Sequence, residues 1–141
     1  MSIWFSEFTA NFLNQRGKNT IVEFLGIEFT TIGTDSLTAI MPVTERTKQP
    51  LGIIHGGANV VLAETLASTA ANAVLDPDQY YCVGLEINAN HIRQVSHGFV
   101  TGVTRPVHIG KMTQIWHIDI YNESGKQTCI SRMTACVLKK F

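Results

Sequence analysis

The sequence predicts an α+β domain of 141 residues, in which a curved antiparallel sheet of five or six strands wraps around one long helix. Residues 56–75 are apolar almost throughout, contain no proline and begin with two glycines. This pattern is typical of a largely buried helix about 30 Å long. On both sides of this segment apolar and polar residues alternate with period two, which is typical of strands. Because helix and strands do not alternate, a βαβ fold is not predicted.

The elements before the long helix are short. A helix is predicted for residues 4–16, with Trp4, Phe5, Phe8 and Phe12 on one face, and a further helical turn for residues 20–25. Two strands are then predicted, at residues 26–32 and 36–43, joined by a turn at Gly33. A loop that contains Pro50 and three glycines leads into the long helix.

Strands follow the long helix to the end of the chain. Asp76, Pro77 and Asp78 end the helix, and four strands are predicted at residues 80–91, 99–107, 112–121 and 128–138. The segment NESGK between the last two strands indicates a hairpin turn. In the strand at 80–91 the alternation predicts two faces, Val83, Leu85, Ile87 and Ala89 on one and Gly84, Glu86, Asn88 and Asn90 on the other.

The composition excludes several classes of function. Apolar residues make up 45% of the chain, charged residues 16%, and the formal net charge is zero. Basic residues cluster only as the pair Lys139 and Lys140, so no nucleic-acid partner is expected. A net charge near zero favours association, which indicates a homo-oligomer.

The sequence also indicates a cytoplasmic location. The N-terminus lacks a basic region followed by an apolar core, so no signal peptide is expected. Segment 56–75 contains Asn59, Glu64 and Asn72, which makes it a poor membrane span. The three cysteines have no C-x-x-C spacing, and reduced thiols are expected.

Glu64 is the first candidate for chemistry. It is the only ionisable residue of the long apolar helix, and burial of a carboxylate raises its pKa. Such a group can serve as a general base or as a nucleophile toward an activated acyl group. The structural alternative is a buried glutamate satisfied by hydrogen bonds across a subunit interface. Ser68 lies on the same helix face at i+4 and can bind the carboxylate or a water, although Ser68 taken alone is better explained as a small residue chosen for close packing.

The start of the long helix is the second candidate. Gly56 and Gly57 would leave open N–H groups at the positive end of the helix dipole, which suits a developing oxyanion. Close packing of the loop is the alternative. His55 can brace this loop or polarise a substrate, and the amide of Gln49 can donate to a carbonyl. No histidine spacing typical of metal ligands and no nucleotide-binding motif is present, so we expect neither a metal nor a cofactor.

Two segments resemble the hotdog-fold acyl-CoA thioesterases. They are TKQPLGIIHGGANVVLAETLAS and VGLEINANHIR, and the similarity extends over nearly the whole chain, including the order of elements. The most similar branch is the one with the Arthrobacter-type 4-hydroxybenzoyl-CoA thioesterases and the bacterial thioesterases for 1,4-dihydroxy-2-naphthoyl-CoA of menaquinone synthesis. The resemblance implies hydrolysis of an aromatic acyl-CoA in a hotdog fold, with coenzyme A as part of the substrate.

The resemblance also implies a role for each matching residue. Gln49 would orient the thioester carbonyl, the Gly56 N–H would be the main oxyanion donor, and His55 would support the loop. Glu64 would attack the carbonyl or activate water, and Ser68 would hold that water or the carboxylate. Contacts with coenzyme A are implied for Val83 and Gly84 along the pantetheine channel, and for Asn90, His91, Arg93, Gly110 and Lys111 at the nucleotide and its phosphates.

The resemblance further implies a tetramer, a dimer of dimers whose active sites are shared between subunits. The spacing agrees with a shared site, because His55 and Glu64 would be about 13 Å apart along one helix and could meet only across an interface.

Two other functions stay open at this point. One is a dehydratase or hydratase of the same fold, although the acid-histidine spacing of the hydratases and the Pro-Gly stretch of the dehydratases are absent. The other is a non-catalytic acyl-CoA-binding module, although no DNA-binding segment is present and Glu64 is retained. The acyl group itself is also open, since small apolar residues near Glu64 suit aryl or medium-length chains.

Overall fold

The structure, a computed structural model, describes residues 1–141 and contains three helices and one antiparallel sheet. The elements in chain order are α1 Ala10–Arg16, α2 Ile21–Phe24, β1 Glu28–Ile32, β2 Leu37–Pro42, α3 Gly56–Ala73, β3 Tyr80–His91, β4 Phe99–Ile109, β5 Thr113–Tyr121 and β6 Gln127–Lys139. The six strands are ordered β1-β2-β4-β5-β6-β3. The predicted α+β class, with a long helix and a sheet of five or six strands, is confirmed.

Helix α3 packs along the inner face of the sheet, against β2, β3, β4, β5 and β6. Leu62 and Leu66 of α3 are fully buried in a core of 25 side chains. Gly102 of β4 allows this close approach, because a Cβ at that position would lie 2.6 Å from Leu66 Cδ1. No helix of the structure is long and apolar enough to cross a membrane.

The N-terminal helix is shorter than predicted. Helix α1 begins only at Ala10, where the Thr9 hydroxyl caps it by accepting a hydrogen bond from Phe12 N. Trp4 lies outside the helix, stacked on the buried Trp116 with 6.4 Å between ring centroids, and its indole N–H donates to Gly33 O. The prediction that Trp4 and Phe12 share a helix face is therefore wrong. Packing of Trp4 against the core outweighs the local helical pattern.

Strand β3 has the predicted bounds but not the predicted faces. Gly84 pairs with Ala135 of β6 and Glu86 pairs with Thr134, so Leu85 is the extra residue of a β-bulge. Cys82 before the bulge and Ile87 after it both pack on the core, whereas Val83 is 41% exposed. The prediction that Val83, Leu85, Ile87 and Ala89 share a face is wrong, because the bulge shifts the alternation by one residue.

Strand β3 also forms an edge of the sheet. It is twelve residues long and pairs only with β6, so its other side carries free backbone N–H and C=O groups. A long edge of this kind is a template for pairing with another strand.

Candidate active site

Glu64 lies in the middle of α3, on the side of the helix that faces away from the core. Its half-buried carboxylate makes no hydrogen bond and no ion pair within the chain. Burial raises the pKa of this carboxyl above its ordinary value of 4.5. The carboxylate is thus a desolvated group without a partner, which is typical of a reactive acid.

Glu64 opens into a cleft of about 490 Å³ between α3 and α2. The other residues that line it are Ile21, Val22, Val60, Val61, Thr65, Ser68 and Thr69. No lysine, arginine or histidine is among them, and of the eight lining residues, Glu64 included, four are aliphatic. The cleft therefore suits an uncharged, apolar group placed directly next to the carboxylate.

Gly84 of β3 makes room for the Glu64 carboxylate. A Cβ built at residue 84 would overlap Glu64 Oε1, so no larger residue fits without displacing the acid. Gly84 is the residue just before the β-bulge, and its inner face is directed at α3. The glycine and the bulge together hold the edge strand close to the helix beside the carboxylate.

His55 caps the N-terminus of α3. Its Nδ1 accepts a hydrogen bond of 2.8 Å from Gly57 N, and its carbonyl accepts from Ala58 N and Asn59 N. The N–H of Gly56 donates to no group of the chain. The prediction that both glycines leave open N–H groups is therefore wrong for Gly57, whose N–H is capped by His55. The Gly56 N–H is the one free donor at the positive end of this 18-residue helix, where it can bind an oxyanion.

The imidazole of His91 lies over Gly56. A Cβ at residue 56 would be 2.8 Å from His91 Nε2, so the space that Gly56 leaves is filled by this ring. His91 Nδ1 is 3.4 Å from the amide nitrogen of Asn59, a residue only 2% exposed. The other polar atom of that amide, Asn59 Oδ1, is buried without a hydrogen-bond partner.

The loop before α3 holds Gln49 at the same end of the molecule. Buried Thr47 anchors the loop, with its hydroxyl donating to Pro42 O and its carbonyl accepting from His55 N. Gln49 N donates to Ile53 O, and the side-chain oxygen of Gln49 accepts from Leu51 N. The side-chain NH₂ of Gln49 is left without a partner in the chain and can donate to a ligand.

A single chain does not bring the Gly56 N–H and the Gln49 side chain together with Glu64. Gly56 and Glu64 are eight residues apart on one helix, which is about 12 Å along its axis. Ser68 does lie in the same cleft as Glu64, without a hydrogen bond between the two side chains. The chain thus carries a carboxylate and an oxyanion-binding end as two separate half-sites.

The residues expected to contact the nucleotide of coenzyme A are also divided between two places. Asn90, His91 and Arg93 lie at the end of β3 that pairs with Cys129, and the Arg93 guanidinium donates to Gln127 O. Gly110 and Lys111 lie in the β4–β5 turn, at the opposite end of the sheet, level with Cys136. Seven residues of strand separate the two levels, about 23 Å. Their contacts with coenzyme A stay predictions.

Three residues of these half-sites were missed by the sequence analysis. Asn59 was visible only as a polar residue in an apolar helix, and its position three residues after Gly56 is the signal that could have placed it at the helix start. Ile21 and Val22 carry no such signal, since their contact with the cleft depends on how α2 packs against α3. No group of three or more His, Cys, Asp or Glu side chains is arranged to hold a metal ion, and the absence of a metal stays a prediction.

The family profile of the thioesterase superfamily matches residues 51–129. The 1,4-dihydroxy-2-naphthoyl-CoA hydrolase of Escherichia coli is 48% identical over 136 residues, which are 96% of this chain and 99% of that protein. The proofreading thioesterase EntH of Cronobacter turicensis is 47% identical over 136 residues, 96% of this chain and 98% of that protein. Among solved structures, a mutant of thioesterase PA1618 from Pseudomonas aeruginosa superposes with a TM-score of 0.97 at 47% identity, covering 99% of this chain and 100% of that one.

A long helix wrapped by a six-stranded antiparallel sheet defines the hotdog class of proteins, and this chain shares that fold with the thioesterase from Pseudomonas aeruginosa. The chain belongs to the thioesterase superfamily, and it is a thioester hydrolase. The predicted hotdog fold and the predicted thioesterase activity are both confirmed.

Proposed function

We propose that this enzyme hydrolyses an apolar, aromatic acyl-CoA, with Glu64 of one subunit acting on a thioester carbonyl bound at Gly56 of a second subunit. The observation that carries the proposal is the Glu64 carboxylate, which has a raised pKa and no partner and lies in an apolar cleft. A carboxylate stripped of water is a stronger base and nucleophile than one in solvent. The thioester is already activated, so positioning and oxyanion stabilisation suffice for its hydrolysis.

The cleft argues for the acyl class. Ile21, Val22, Val60 and Val61 offer apolar contacts, and no cation is present to pair with an acidic acyl group such as a dicarboxylate. Thr65 and Thr69 add two hydroxyl groups that can bond a substituent on an aromatic ring. The name of the E. coli relative points to a hydroxylated naphthoyl group, which makes 1,4-dihydroxy-2-naphthoyl-CoA and hydroxybenzoyl-CoA the first substrates to test.

The chemistry needs one water molecule per turnover. The free Gly56 N–H and the side-chain NH₂ of Gln49 donate to the carbonyl oxygen as it becomes an oxyanion. Glu64 either attacks the carbonyl carbon or takes a proton from a water, held by Ser68, that attacks it. In the first route the C–S bond breaks as an anhydride forms between the acyl group and Glu64, and water then hydrolyses this anhydride to the free acid and the Glu64 carboxylate. In the second route the tetrahedral intermediate expels the thiolate directly and leaves the free acid. In both routes one proton of the water passes to the thiolate, so that coenzyme A leaves as its thiol. Label from isotopic water found in Glu64 after one turnover would identify the attacking carboxylate.

A second copy of the chain completes the site through the exposed edge of β3. Two β3 strands paired antiparallel about a two-fold axis would place the α3 helices of both subunits on the same side of a joined sheet. The same pairing puts the Asn90–Arg93 end of one subunit at the same end as the partner's Gly110–Lys111 turn. The residues expected to contact coenzyme A, which lie at two ends of one chain, would thus lie at the same end of a dimer. Two such dimers would then associate into a tetramer.

The free cysteines favour a reducing compartment for this reaction. Cys82, Cys129 and Cys136 form no disulfide, and burial raises the pKa of the Cys82 and Cys129 thiols to about 11. Such thiols are protonated and unreactive at neutral pH. These free thiols support our proposal of a cytoplasmic enzyme.

The activity is tested with a panel of acyl-CoA substrates, following free thiol with a thiol reagent. We expect the highest kcat/KM for aromatic acyl groups and a loss of about 10³-fold or more in kcat for Glu64→Gln, because the variant cannot ionise. Glu28→Gln is the matched control, since Glu28 is an exposed glutamate on β1, at the other edge of the sheet. An unchanged rate for Glu64→Gln would contradict the mechanism.

The same panel separates the alternatives. A hydratase would add water to crotonyl-CoA without releasing thiol, and a binding module would bind acyl-CoA and release nothing. Thiol release that depends on Glu64 excludes both.

Complementation tests the shared site. Gly56→Pro removes the free N–H, and its Cβ also displaces the His91 ring, so the variant loses the oxyanion-binding half of the site. The proline backbone is tolerated, because His55 has φ −70° and ψ 132° and residue 56 is the first of the helix. Co-expression of Gly56→Pro with Glu64→Gln should restore about a quarter of wild-type activity. Random pairing makes about half of the dimers mixed, and each mixed dimer has one intact site out of two. No recovery in proven mixed dimers would mean that each site lies within one chain.

A further inference from the structure

His91 occupies a place that contact with a nucleotide does not explain. The ring comes from the last residue of β3 and lies over Gly56, where a Cβ would be 2.8 Å from Nε2. A Cβ lies about 2.5 Å from the backbone nitrogen of its own residue, so Nε2 is within about 5 Å of Gly56 N. Two donors at this separation can reach the same oxygen atom, since each forms a hydrogen bond of about 2.9 Å.

Asn59 contacts the ring nitrogen of His91 that lies away from Gly56. Its amide nitrogen is 3.4 Å from Nδ1, and because an amide NH₂ group donates, this contact is a hydrogen bond when Nδ1 accepts and the ring proton is on Nε2. In that tautomer the nitrogen beside Gly56 is a hydrogen-bond donor.

The placement of Asn59 costs free energy. The residue is 2% exposed, and its Oδ1 is buried without a partner, which destabilises the fold relative to an apolar residue. Buried polar groups without partners are uncommon and concentrate where function requires them. What this amide does in the structure is hold the His91 ring.

We propose that His91 is a second donor to the thioester carbonyl oxygen, with its Nε2–H placed beside the Gly56 N–H by Asn59. The inference rests on the proposed function and names a further catalytic residue, His91, and a positioning residue, Asn59. Both donors act on the oxygen that becomes negative when the carbonyl is attacked, and they act together with the Gln49 amide. The proton stays on His91, so the step needs no acid, base or further reactant.

This role differs measurably from contact with the nucleotide of coenzyme A. A nucleotide contact affects only substrates that carry the nucleotide. An oxyanion donor affects kcat for every thioester, including one with a truncated thiol.

The experiment compares benzoyl-CoA with S-benzoyl-N-acetylcysteamine, which has the same thioester and no nucleotide. We expect His91→Phe to lower kcat about 10²-fold with both substrates, because the ring is kept and the donor is lost. His91→Gln should recover part of this loss, since its amide can donate. Asn59→Leu should lower kcat about tenfold, because the ring is no longer oriented.

His97→Phe is the matched control, since His97 is an exposed histidine outside the site, bonded to Ser96. It should leave both rates unchanged. Far-ultraviolet circular dichroism of each variant establishes that the fold is retained.

A tautomer measurement keeps the inference testable even where a variant fails to fold. Nitrogen-15 NMR of the wild-type enzyme should find the His91 proton on Nε2. A proton on Nδ1, or an effect of His91→Phe confined to KM for benzoyl-CoA, would overturn the inference while leaving the proposed function intact. A wild-type enzyme that cleaves neither thioester would overturn the proposed function itself.

Discussion

The carboxylate of Glu64 lies against the edge strand at Gly84, in the space that a Cβ of residue 84 would occupy. The missing side chain of Gly84 on β3 thus sets the position of the Glu64 carboxylate on the central helix. The absence of a side chain at residue 84 is what lets the edge strand approach the helix beside the acid. The pair explains why a glycine stands in the middle of a long strand, where glycine otherwise weakens the structure.

We expect Gly84→Ala to lower kcat about 10²-fold with little loss of secondary structure, because a displacement of about 1 Å at a reacting group has an effect of this size. Steady-state kinetics and circular dichroism measure both quantities. In a Glu64→Gln background the same substitution should cause no further loss, since it acts through the carboxylate. A fully active Gly84→Ala enzyme would show that the acid does not need this space.

The pH dependence of kcat/KM should reveal the raised pKa of Glu64. The reaction requires the ionised carboxylate, so kcat/KM should rise with pH through a midpoint above 4.5. Rate measurements from acid to neutral pH on benzoyl-CoA give this midpoint. A rate that is already maximal at pH 4.5 would exclude Glu64 as the titrating group.

The raised pKa of Glu64 should also affect stability, but in the opposite direction, because protonation of the carboxyl stops the reaction and stabilises the fold. Burial favours the protonated carboxyl in the folded state, so the contribution of Glu64 to the free energy of unfolding is largest below pH 4.5 and is lost as pH rises through the raised pKa. Glu64→Gln cannot lose a proton, and it should therefore be more stable than the wild type at pH 7, with the gap in Tm closing toward pH 4. Glu28→Gln should show no such gap, because Glu28 is exposed on β1. Equal Tm values at pH 7 for wild type and Glu64→Gln would argue against a desolvated acid.

His55 should contribute to stability as a helix cap. Replacing it by alanine removes the acceptor for Gly57 N, and we expect a loss of about 1 kcal/mol in the free energy of unfolding. Asparagine is a good capping residue and should restore most of this loss. Urea unfolding of the three proteins measures the effect. If His55→Asn were as unstable as His55→Ala, the capping bond would not be the source.

Helix α2 should contribute to the choice of acyl group. Ile21→Ala removes apolar surface from the cleft beside Glu64, and we expect kcat/KM for benzoyl-CoA to fall about tenfold while that for acetyl-CoA changes little. Ile109→Ala is the control, since Ile109 is also exposed but does not line the cleft. An equal loss on both substrates would indicate a general effect on folding rather than on acyl binding.

Several features of the fold could be predicted because their signals are local. The bounds of β3 agree with the alternation between Tyr80 and His91, and α3 begins at Gly56 as its glycine pair indicates. Glu64 could be singled out because a charge in an apolar helix is visible in the composition of that segment.

Other features depend on tertiary contacts or irregularities that the pattern of apolar and polar residues along the chain does not predict. The bulge at Leu85 reverses the faces of β3, and the stacking of Trp4 on Trp116 joins residues far apart in the chain. Period-two and period-3.6 patterns describe only regular elements, so a single inserted residue or a tertiary contact is outside their reach.

The sequence by itself determined the fold class, and it singled out Glu64 and the start of the long helix as candidate site features. Each of these follows from hydrophobic periodicity, or from one polar residue in an apolar segment. Only the tertiary structure decided that Gly84 makes room for Glu64, that Asn59 holds His91 over Gly56, and that α2 closes the cleft. The physical reason is that these contacts form between elements packed side by side, where distance in space has no simple relation to distance along the chain.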